Sequence, residues 1–154
     1  MSLSERIQDF SLQRISTPLG QVAYRSAGTE GQPLWILLHG IGSASGSWLA
    51  QLQAAQGLGV RILAWDAPGY GQSTPVQPDQ PKASDYAARL WAWLDALGSG
   101  PVHLVGHSLG CLMASAAAQA QPERVKHLWL LAPAAGYGLA DPQVRERKLH
   151  ERLD

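Results

Sequence analysis

The sequence predicts an α/β fold in which a mostly parallel sheet lies between two layers of helices. Short continuous apolar runs, such as residues 34–38 and 60–65, are typical of strands buried on both faces of a sheet. Segments with helical character alternate with these runs at intervals of roughly 30 residues, which is typical of right-handed βαβ units. The expected architecture is therefore a three-layer α/β/α sandwich.

Six strands are predicted, and the first two form a hairpin. Thr17-Pro18-Leu19-Gly20 lies between them, and proline and glycine at these positions favour a turn. The other four segments are short, apolar and bounded by loop residues, as buried parallel strands are. The predicted strands are residues 11–16, 20–27, 34–38, 60–65, 101–106 and 125–131.

Three helices are predicted between the later strands, at residues 48–56, 84–97 and 108–121. We expect the first to end at Gly57, and the second to be capped by Ser84 and ended by Gly98. Apolar residues recur along the second at helical spacing: Tyr86, Leu90, Trp93, Leu94 and Leu97. The third is rich in alanine. A charged amphipathic helix is expected to begin at Asp141-Pro142.

The composition is that of an ordinary globular domain. The 154 residues are 45% hydrophobic and 16% charged, which is enough for one domain with a core. Twelve basic residues balance twelve acidic ones, so neither nucleic acid nor an anionic membrane is an expected partner. We find no signal peptide and no apolar run of about 18 residues, and we expect a cytoplasmic location. The single cysteine, Cys111, fits a reducing compartment, and no metal-ligand spacing is present.

A candidate nucleophile lies between the fifth strand and the third helix. The segment Gly106-His107-Ser108-Leu109-Gly110 has the pattern G-x-S-x-G in a strand–turn–helix setting, which is typical of a nucleophile elbow. The serine of such an elbow has a strained backbone, and glycines flank it because larger side chains would collide with the adjacent strand and helix. The amides at the helix N-terminus point their positive dipole at this position. Ser108 is therefore the candidate nucleophile.

Three loops that follow three strands resemble those of the α/β-hydrolase superfamily. They are HGIG at residues 39–42, DAPGYGQS at 66–73 and GHSLG at 106–110, in this order and spacing. With TPLGQVAYRSAG at residues 17–28, they are most similar to small esterases and 3-oxoadipate enol-lactonase-like hydrolases. The resemblance covers the chain from about residue 11 onwards and implies the α/β-hydrolase fold.

The resemblance implies roles for individual residues. Ser108 is the nucleophile, and the backbone amides of Ile41 and Leu109 donate to the oxyanion, with Gly42 as the alternative to Ile41. Two fixed N–H groups stabilise the negative charge of a tetrahedral intermediate without reorganising. No cofactor is implied, because serine-based acyl transfer needs none. The expected substrate pocket consists of His39, Gly40, His107 and Trp48, and for Trp48 packing in the core is the open alternative.

The family order is serine, then Asp or Glu, then histidine, and the chain reaches Asp154 before the expected acid and base. Residues 1–138 are therefore interpreted as a partial core domain, truncated before the last strands, and 139–154 as the start of a cap. We expect strand 125–131 to have an apolar edge, which favours pairing with another copy or with C-terminal polypeptide.

The remaining polar residues have simpler expected roles. His39 shapes its loop rather than taking a proton, and Asp66 braces its own turn. His103 and His127 lie within strands, as core residues or as residues that pack on a face of the sheet. Asp141 has two interpretations, as the acid used by a minority of family members or as a helix start. His150 is expected to be a surface residue, and Cys111 a small buried one.

The predicted function is hydrolysis of an ester or lactone of a small carboxylic acid, with Ser108 as the nucleophile. Two alternatives remain open. One is a catalytically inactive fragment or binding module of the same fold. The other is a hydrolase of C–C bonds. The sequence leaves the identity of the substrate and the oligomeric state undetermined.

Overall fold

The computed structural model describes residues 6–134 and 142–143. Its six strands form one sheet in the order β1-β2-β4-β3-β5-β6. The strands are β1 (Gln13–Thr17), β2 (Gly20–Ala27), β3 (Leu34–Leu38), β4 (Arg61–Trp65), β5 (Val102–His107) and β6 (Val125–Leu131). The helices are α1 (Leu49–Leu58), α2 (Ala83–Ala96) and α3 (Leu109–Ala120). Short 3-10 turns span Ile7–Asp9, Ser45–Trp48 and Pro122–Arg124.

The sheet is mostly parallel, as predicted. β1 and β2 form an antiparallel hairpin, and β2 is antiparallel to β4. β4, β3, β5 and β6 run parallel to one another, with a helix in each connection between successive parallel strands. The carboxyl ends of these strands therefore meet at one edge of the sheet, where the loops at residues 39–45 and 66–73 and the elbow at Ser108 lie together.

Helices cover both faces of the sheet, which confirms the three-layer architecture. On one face, α1 packs through Leu52 and Ala55 against Leu37 of β3. On the other, α2 and α3 form the larger core, and Trp93 is completely buried there. Neighbouring residues of a strand point to opposite faces, so Leu37 and the adjacent Ile36 belong to different cores.

Two predicted helix boundaries are wrong. α1 does not end at Gly57 but continues through Leu58 to Gly59, whose φ of +64° is readily adopted by glycine. The amide of Val60 then bonds to the carbonyl of Ala55 at 3.2 Å and closes the helix end. Ser84 does not cap α2.

The start of α2 is instead capped from within its first turn. The carboxylate of Asp85 accepts the N–H of Lys82 at 2.7 Å, which satisfies one of the amides that a helix start leaves unpaired. Gly98 has a φ of +64° and follows the end of the helix, as predicted.

β6 carries the exposed apolar surface that the sequence predicts. Among the residues described, β6 pairs with β5 along one edge only. Four consecutive side chains of this strand are between 38% and 52% exposed: Leu128, Trp129, Leu130 and Leu131. The side chains alternate between the two faces of the sheet, so both faces are apolar at this edge.

Several predictions concern the C-terminal residues. The boundary between residues 138 and 139, together with Asp141 and His150, lies outside the described residues. Of the amphipathic helix predicted from Asp141 onwards, only residues 142 and 143 are described. Within the described parts of the chain, no helix is both long and apolar enough to cross a membrane.

Candidate active site

Ser108 occupies a strained turn between β5 and α3. Its backbone has φ 52° and ψ −116°, a conformation that L-residues rarely adopt. Its N–H donates to the carbonyl of Leu131 at 3.0 Å, and its carbonyl accepts the amides of Cys111 at 3.0 Å and Ala134 at 3.3 Å. The strain therefore persists because hydrogen bonds from β6, α3 and the residues after β6 hold the turn.

The two glycines of the elbow allow α3 to approach the sheet. A Cβ added to Gly106 would lie 2.5 Å from the carbonyl oxygen of Gly110. A Cβ added to Gly110 would lie 2.2 Å from the carbonyl oxygen of Leu38 in β3. Both distances are far below van der Waals contact, and the obstructing atoms are backbone. A larger residue at either position would therefore collide with backbone atoms, as the motif predicts.

Cys111 braces the elbow from behind. Its side chain is buried, and its Sγ lies 3.1 Å from the carbonyl oxygen of Gly106 and 3.3 Å from that of Leu131. Burial raises the pKa of this thiol, against the opposing effect of hydrogen bonds to the backbone of Leu131 and Ser108. The thiol is thus protonated at neutral pH and is not a competing nucleophile.

The loop at residues 39–45, called the oxyanion loop below, lies against Ser108. A Cβ added to Gly40 would be 3.0 Å from the Cβ of Ser108, so only glycine fits there without displacement. Within residues 6–134, neither the amide of Ile41 nor that of Leu109 has a hydrogen-bond acceptor. Leu109 is the first residue of α3, where the helix dipole adds positive potential.

A cleft of about 340 Å³ opens beside Ser108. Its lining residues are Gly40, Ile41, Ser43, Ser47, Trp48, Gln51, His107, Ser108 and Leu131. None of these is a lysine, arginine, aspartate or glutamate. Ile41 is 62% exposed, and together with Leu131 and Trp48 it supplies the apolar part of the cleft wall. The described part of the cleft therefore fits an uncharged group.

The structure brings most of the predicted pocket residues together and displaces one. Gly40, Trp48 and His107 lie with Ser108 in the cleft wall. His39 does not line the cleft, because its ring is buried and directed towards the loop after β4. Leu109 and Gly42, predicted as oxyanion donors, are absent from the cleft lining.

Sequence reasoning missed four lining residues, namely Ser43, Ser47, Gln51 and Leu131. A signal was available for one of them, because Gln51 follows Trp48 by three residues and shares its side of the helix. Leu131 enters the wall because β6 pairs with β5, which aligns it with His107. That contact depends on sheet register and is not readable from the local sequence.

His39 is a buried neutral imidazole with an assignable tautomer. The N–H of Ala67 points to Nε2 at 2.9 Å, so Nε2 must be the acceptor. Nδ1 then carries the hydrogen and donates to the carbonyl of Gly40 at 2.8 Å. Burial lowers the pKa of His39, which outweighs the opposing effects of the Gly40 carbonyl and Asp66. As expected, His39 belongs to the structure of its loop.

Asp66 is a buried carboxylate that is satisfied by backbone amides. Its Oδ2 accepts the N–H of Gln72 at 3.0 Å, within its own turn, as the sequence predicts. Its Oδ1 accepts the N–H of Ser45 at 2.9 Å, at the far end of the oxyanion loop. A Cβ on Gly71 would lie 2.1 Å from Oδ2, so glycine at this position leaves room for the carboxylate. Asp66 therefore joins two loops.

None of the histidines in the described residues is hydrogen-bonded to Ser108. His103 and His127 stack on the face of the sheet, with centroids 5.1 Å apart and their Nδ1 atoms separated by 3.1 Å. Burial is the main cause that lowers the pKa of His103, and His127 and Lys126 add to it. Residues 6–134 and 142–143 contain no group of three or more His, Cys, Asp or Glu side chains that could hold a metal ion.

Comparison with known proteins identifies the family to which this chain belongs. A family model described as the alpha/beta hydrolase fold matches residues 33–152. The 2-hydroxy-6-oxononadienedioate/2-hydroxy-6-oxononatrienedioate hydrolase of Burkholderia vietnamiensis is 38% identical over 120 residues, which are 75% of this chain and 41% of that protein. The crystal structure of naproxen esterase from Bacillus subtilis is 30% identical with a TM-score of 0.74, covering 85% of this chain and 47% of that one.

A third relative is an epoxide hydrolase from an endophytic Streptomyces. Its structure is 30% identical with a TM-score of 0.70, and the match covers 79% of this chain and 36% of that one. The chain spans about two fifths of the length of the curated relatives that it matches.

Proposed function

Because the chain belongs to the α/β hydrolase family, we propose that it carries the nucleophile half of a serine hydrolase that cleaves an ester or lactone of a small carboxylic acid. The observation that supports this most is the backbone of Ser108, with φ 52° and ψ −116° at the carboxyl end of β5. This strained turn directs the residue into a cleft beside two amides that have no acceptor among the described residues, which is the arrangement that acyl transfer needs.

The proposed reaction proceeds in two steps. Oγ of Ser108 attacks the acyl carbonyl carbon while a base takes its proton, and the amides of Ile41 and Leu109 stabilise the oxyanion. The base then gives this proton to the leaving oxygen as the intermediate expels the alcohol or opens the lactone, leaving an acyl-serine. Water then adds to the acyl carbon, and the acid is released with the Ser108 hydroxyl restored. We propose that the base and its acidic partner come from polypeptide outside these 154 residues, in the family order.

The absence of lysine and arginine from the described cleft lining favours an ester or lactone over a dicarboxylate. Curated relatives are named for dioate substrates, a name that denotes two carboxylates. Neither lysine nor arginine lines the described part of the cleft, and burial of an unpaired carboxylate is strongly unfavourable. C–C bond hydrolysis remains the second candidate because of these relatives. An inactive binding module of the same fold is the third.

The first test is covalent labelling by a fluorophosphonate, followed by intact mass and peptide mapping, of a protein that joins these 154 residues to the polypeptide that supplies the proposed base and its acidic partner. We expect one adduct, on Ser108, and its loss in Ser108→Ala. Ser115→Ala is the matched control, because Ser115 lies on α3 outside the cleft lining and should leave labelling unchanged. No adduct would favour the binding module, and an adduct that persists in Ser108→Ala would refute the nucleophile.

The second test separates the two reactions. Unlabelled protein that hydrolyses p-nitrophenyl acetate or a γ-lactone, but not a vinylogous 1,5-diketone, supports the ester or lactone assignment. Cleavage of the diketone with release of a carboxylic acid would instead assign C–C hydrolysis.

Two further proposals concern the surroundings of the protein. We propose that the exposed edge of β6 pairs with a second copy or with C-terminal polypeptide, because Trp129 and its neighbours leave an apolar surface there. We also propose a cytoplasmic location, which the single reduced and buried Cys111 favours. The small-molecule substrate is the only ligand that this function requires, with neither nucleic acid nor a membrane as a partner.

A further inference from the structure

The oxyanion loop is fastened at both ends to the segment that follows β4. At one end, the N–H of Ala67 donates to Nε2 of His39 at 2.9 Å. At the other, the N–H of Ser45 donates to Oδ1 of Asp66 at 2.9 Å. Asp66 and Ala67 are consecutive, so both ends of the loop are held by one short piece of backbone. His39 and Asp66 are each at least 97% buried, which shields both bonds from water.

The anchoring segment is itself fixed to the sheet. The N–H of Asp66 donates to the carbonyl of Ala23 in β2 at 2.8 Å. The hydroxyl of Ser73 donates to the carbonyl of Asp66 at 2.6 Å and accepts the N–H of Ala23 at 2.9 Å. These bonds join the anchoring segment to β2, a strand in the interior of the sheet. The oxyanion loop is therefore held in a fixed position relative to the sheet.

His39 also sets the orientation of the first peptide of the loop. Its Nδ1–H donates to the carbonyl of Gly40 at 2.8 Å. The peptide between Gly40 and Ile41 is planar and trans, so its C=O and N–H point in opposite directions. The hydrogen bond that fixes the carbonyl of Gly40 therefore also fixes the direction of the Ile41 N–H.

We propose that His39 and Asp66 are positioning residues that together aim the amide of Ile41 at the oxyanion formed on Ser108. This inference rests on the proposed acyl chemistry of Ser108. The geometry leaves little tolerance, because a Cβ added to Gly40 would already lie 3.0 Å from the Cβ of Ser108. A displacement of the donor by 1 Å at such a site can lower a rate about 100-fold.

The first experiment needs no activity. In the 15N-labelled full chain, long-range 1H–15N correlation should show His39 with Nδ1 protonated and Nε2 unprotonated. Asp66→Asn should shift the amide cross-peaks of both Ser45 and Ile41, because one side-chain acceptor is replaced by an N–H donor. Asp95→Asn is the matched control, since Asp95 is exposed, far from the oxyanion loop in sequence, and pairs with Arg124 at 2.7 Å. A His39 protonated on Nε2, or an unshifted Ile41 amide in Asp66→Asn, would overturn the proposal.

The second experiment measures the rate of fluorophosphonate labelling of Ser108 as a function of probe concentration. We expect Asp66→Asn to lower the maximal rate at least about tenfold with little change in the half-saturating concentration, because binding is retained and charge stabilisation is lost. His39→Gln, which keeps an acceptor for Ala67, should lose less than His39→Ala.

The outcomes of the two experiments are separable. A purely structural role would lower the labelled fraction and the melting temperature while the maximal rate of the folded molecules stays unchanged, and this result would refute the positioning role. If wild-type Ser108 is unreactive, the proposed function fails. The His39 tautomer and the Ile41 amide shift then still decide whether His39 and Asp66 hold the oxyanion loop in the proposed way.

Discussion

Replacement of Gly110 by alanine should destabilise the protein, although alanine is the better helix former. Gly110 is the second residue of α3, where intrinsic propensity alone would favour alanine by about 1 kcal/mol. An added Cβ would lie 2.2 Å from the carbonyl oxygen of Leu38 and 2.9 Å from that of His39. Both obstructing atoms belong to the backbone, so no flexible side chain can move aside.

The magnitude follows from the required displacement. Ordinary Cβ contacts begin at 3.4 Å, so α3 and β3 have to separate by roughly 1 Å at this point. Overpacking of this kind costs about 1–3 kcal/mol and occasionally more, and the upper end applies because the strand is fully buried here. After the gain in helix propensity, we expect the free energy of unfolding to fall by about 2 kcal/mol.

Urea denaturation followed by tryptophan fluorescence measures this effect. Gly57→Ala is the matched control, because Gly57 is exposed within α1 and an added Cβ there would meet no atom within 4 Å. This control should stabilise the protein by about 0.5–1 kcal/mol through helix propensity alone. If Gly110→Ala and Gly57→Ala have the same sign, the close approach of α3 to β3 is refuted as the reason for glycine in the motif.

Three further predictions concern stability and association. In urea denaturation, Trp91→Phe should lower the free energy of unfolding by about 1 kcal/mol more than Trp93→Phe does. The reason is that Nε1 of Trp91 donates to the carbonyl of Ala117 at 3.1 Å, whereas Nε1 of Trp93 has no acceptor in the described residues. Equal losses in the two variants would contradict this. Trp129→Lys should reduce self-association in sedimentation velocity without lowering the melting temperature, because the side chain is 52% exposed on β6; unchanged association would exclude this face. The pKa values of His39 and His103 are lowered in the folded protein, so as the pH falls the unfolded chain takes up protons at a higher pH than the folded protein does. The melting temperature should therefore fall as the pH decreases below about 6.5. A constant melting temperature from pH 8 to 5 would contradict the two shifts.

The comparison of sequence and structure separates local from non-local information. Strand β3 and strand β6 were predicted at their observed bounds, because a short apolar run bounded by loop residues is a local pattern. The wrong end of α1 has a local origin too. The sequence offers two glycines as the helix end, Gly57 and Gly59. Only the left-handed backbone of Gly59 shows which of them terminates the helix.

The site shows the same division. The G-x-S-x-G pattern identifies Ser108 because the steric demands of the elbow act over five consecutive residues. The buried orientation of His39 could not be predicted, since it depends on Ala67, which is 28 residues away. The same holds for the bond between Asp66 and Ser45 and for the place of Leu131 in the cleft wall.

The sequence by itself therefore determined the class of fold, the order of its elements and the candidate nucleophile, because each of these depends on periodicity or on a short steric motif. The tertiary structure decided which groups surround Ser108, because parallel strands bring the loops at their carboxyl ends together from distant parts of the chain. It also decided the tautomer of His39, since a buried imidazole takes the proton arrangement that its neighbours' donors and acceptors require.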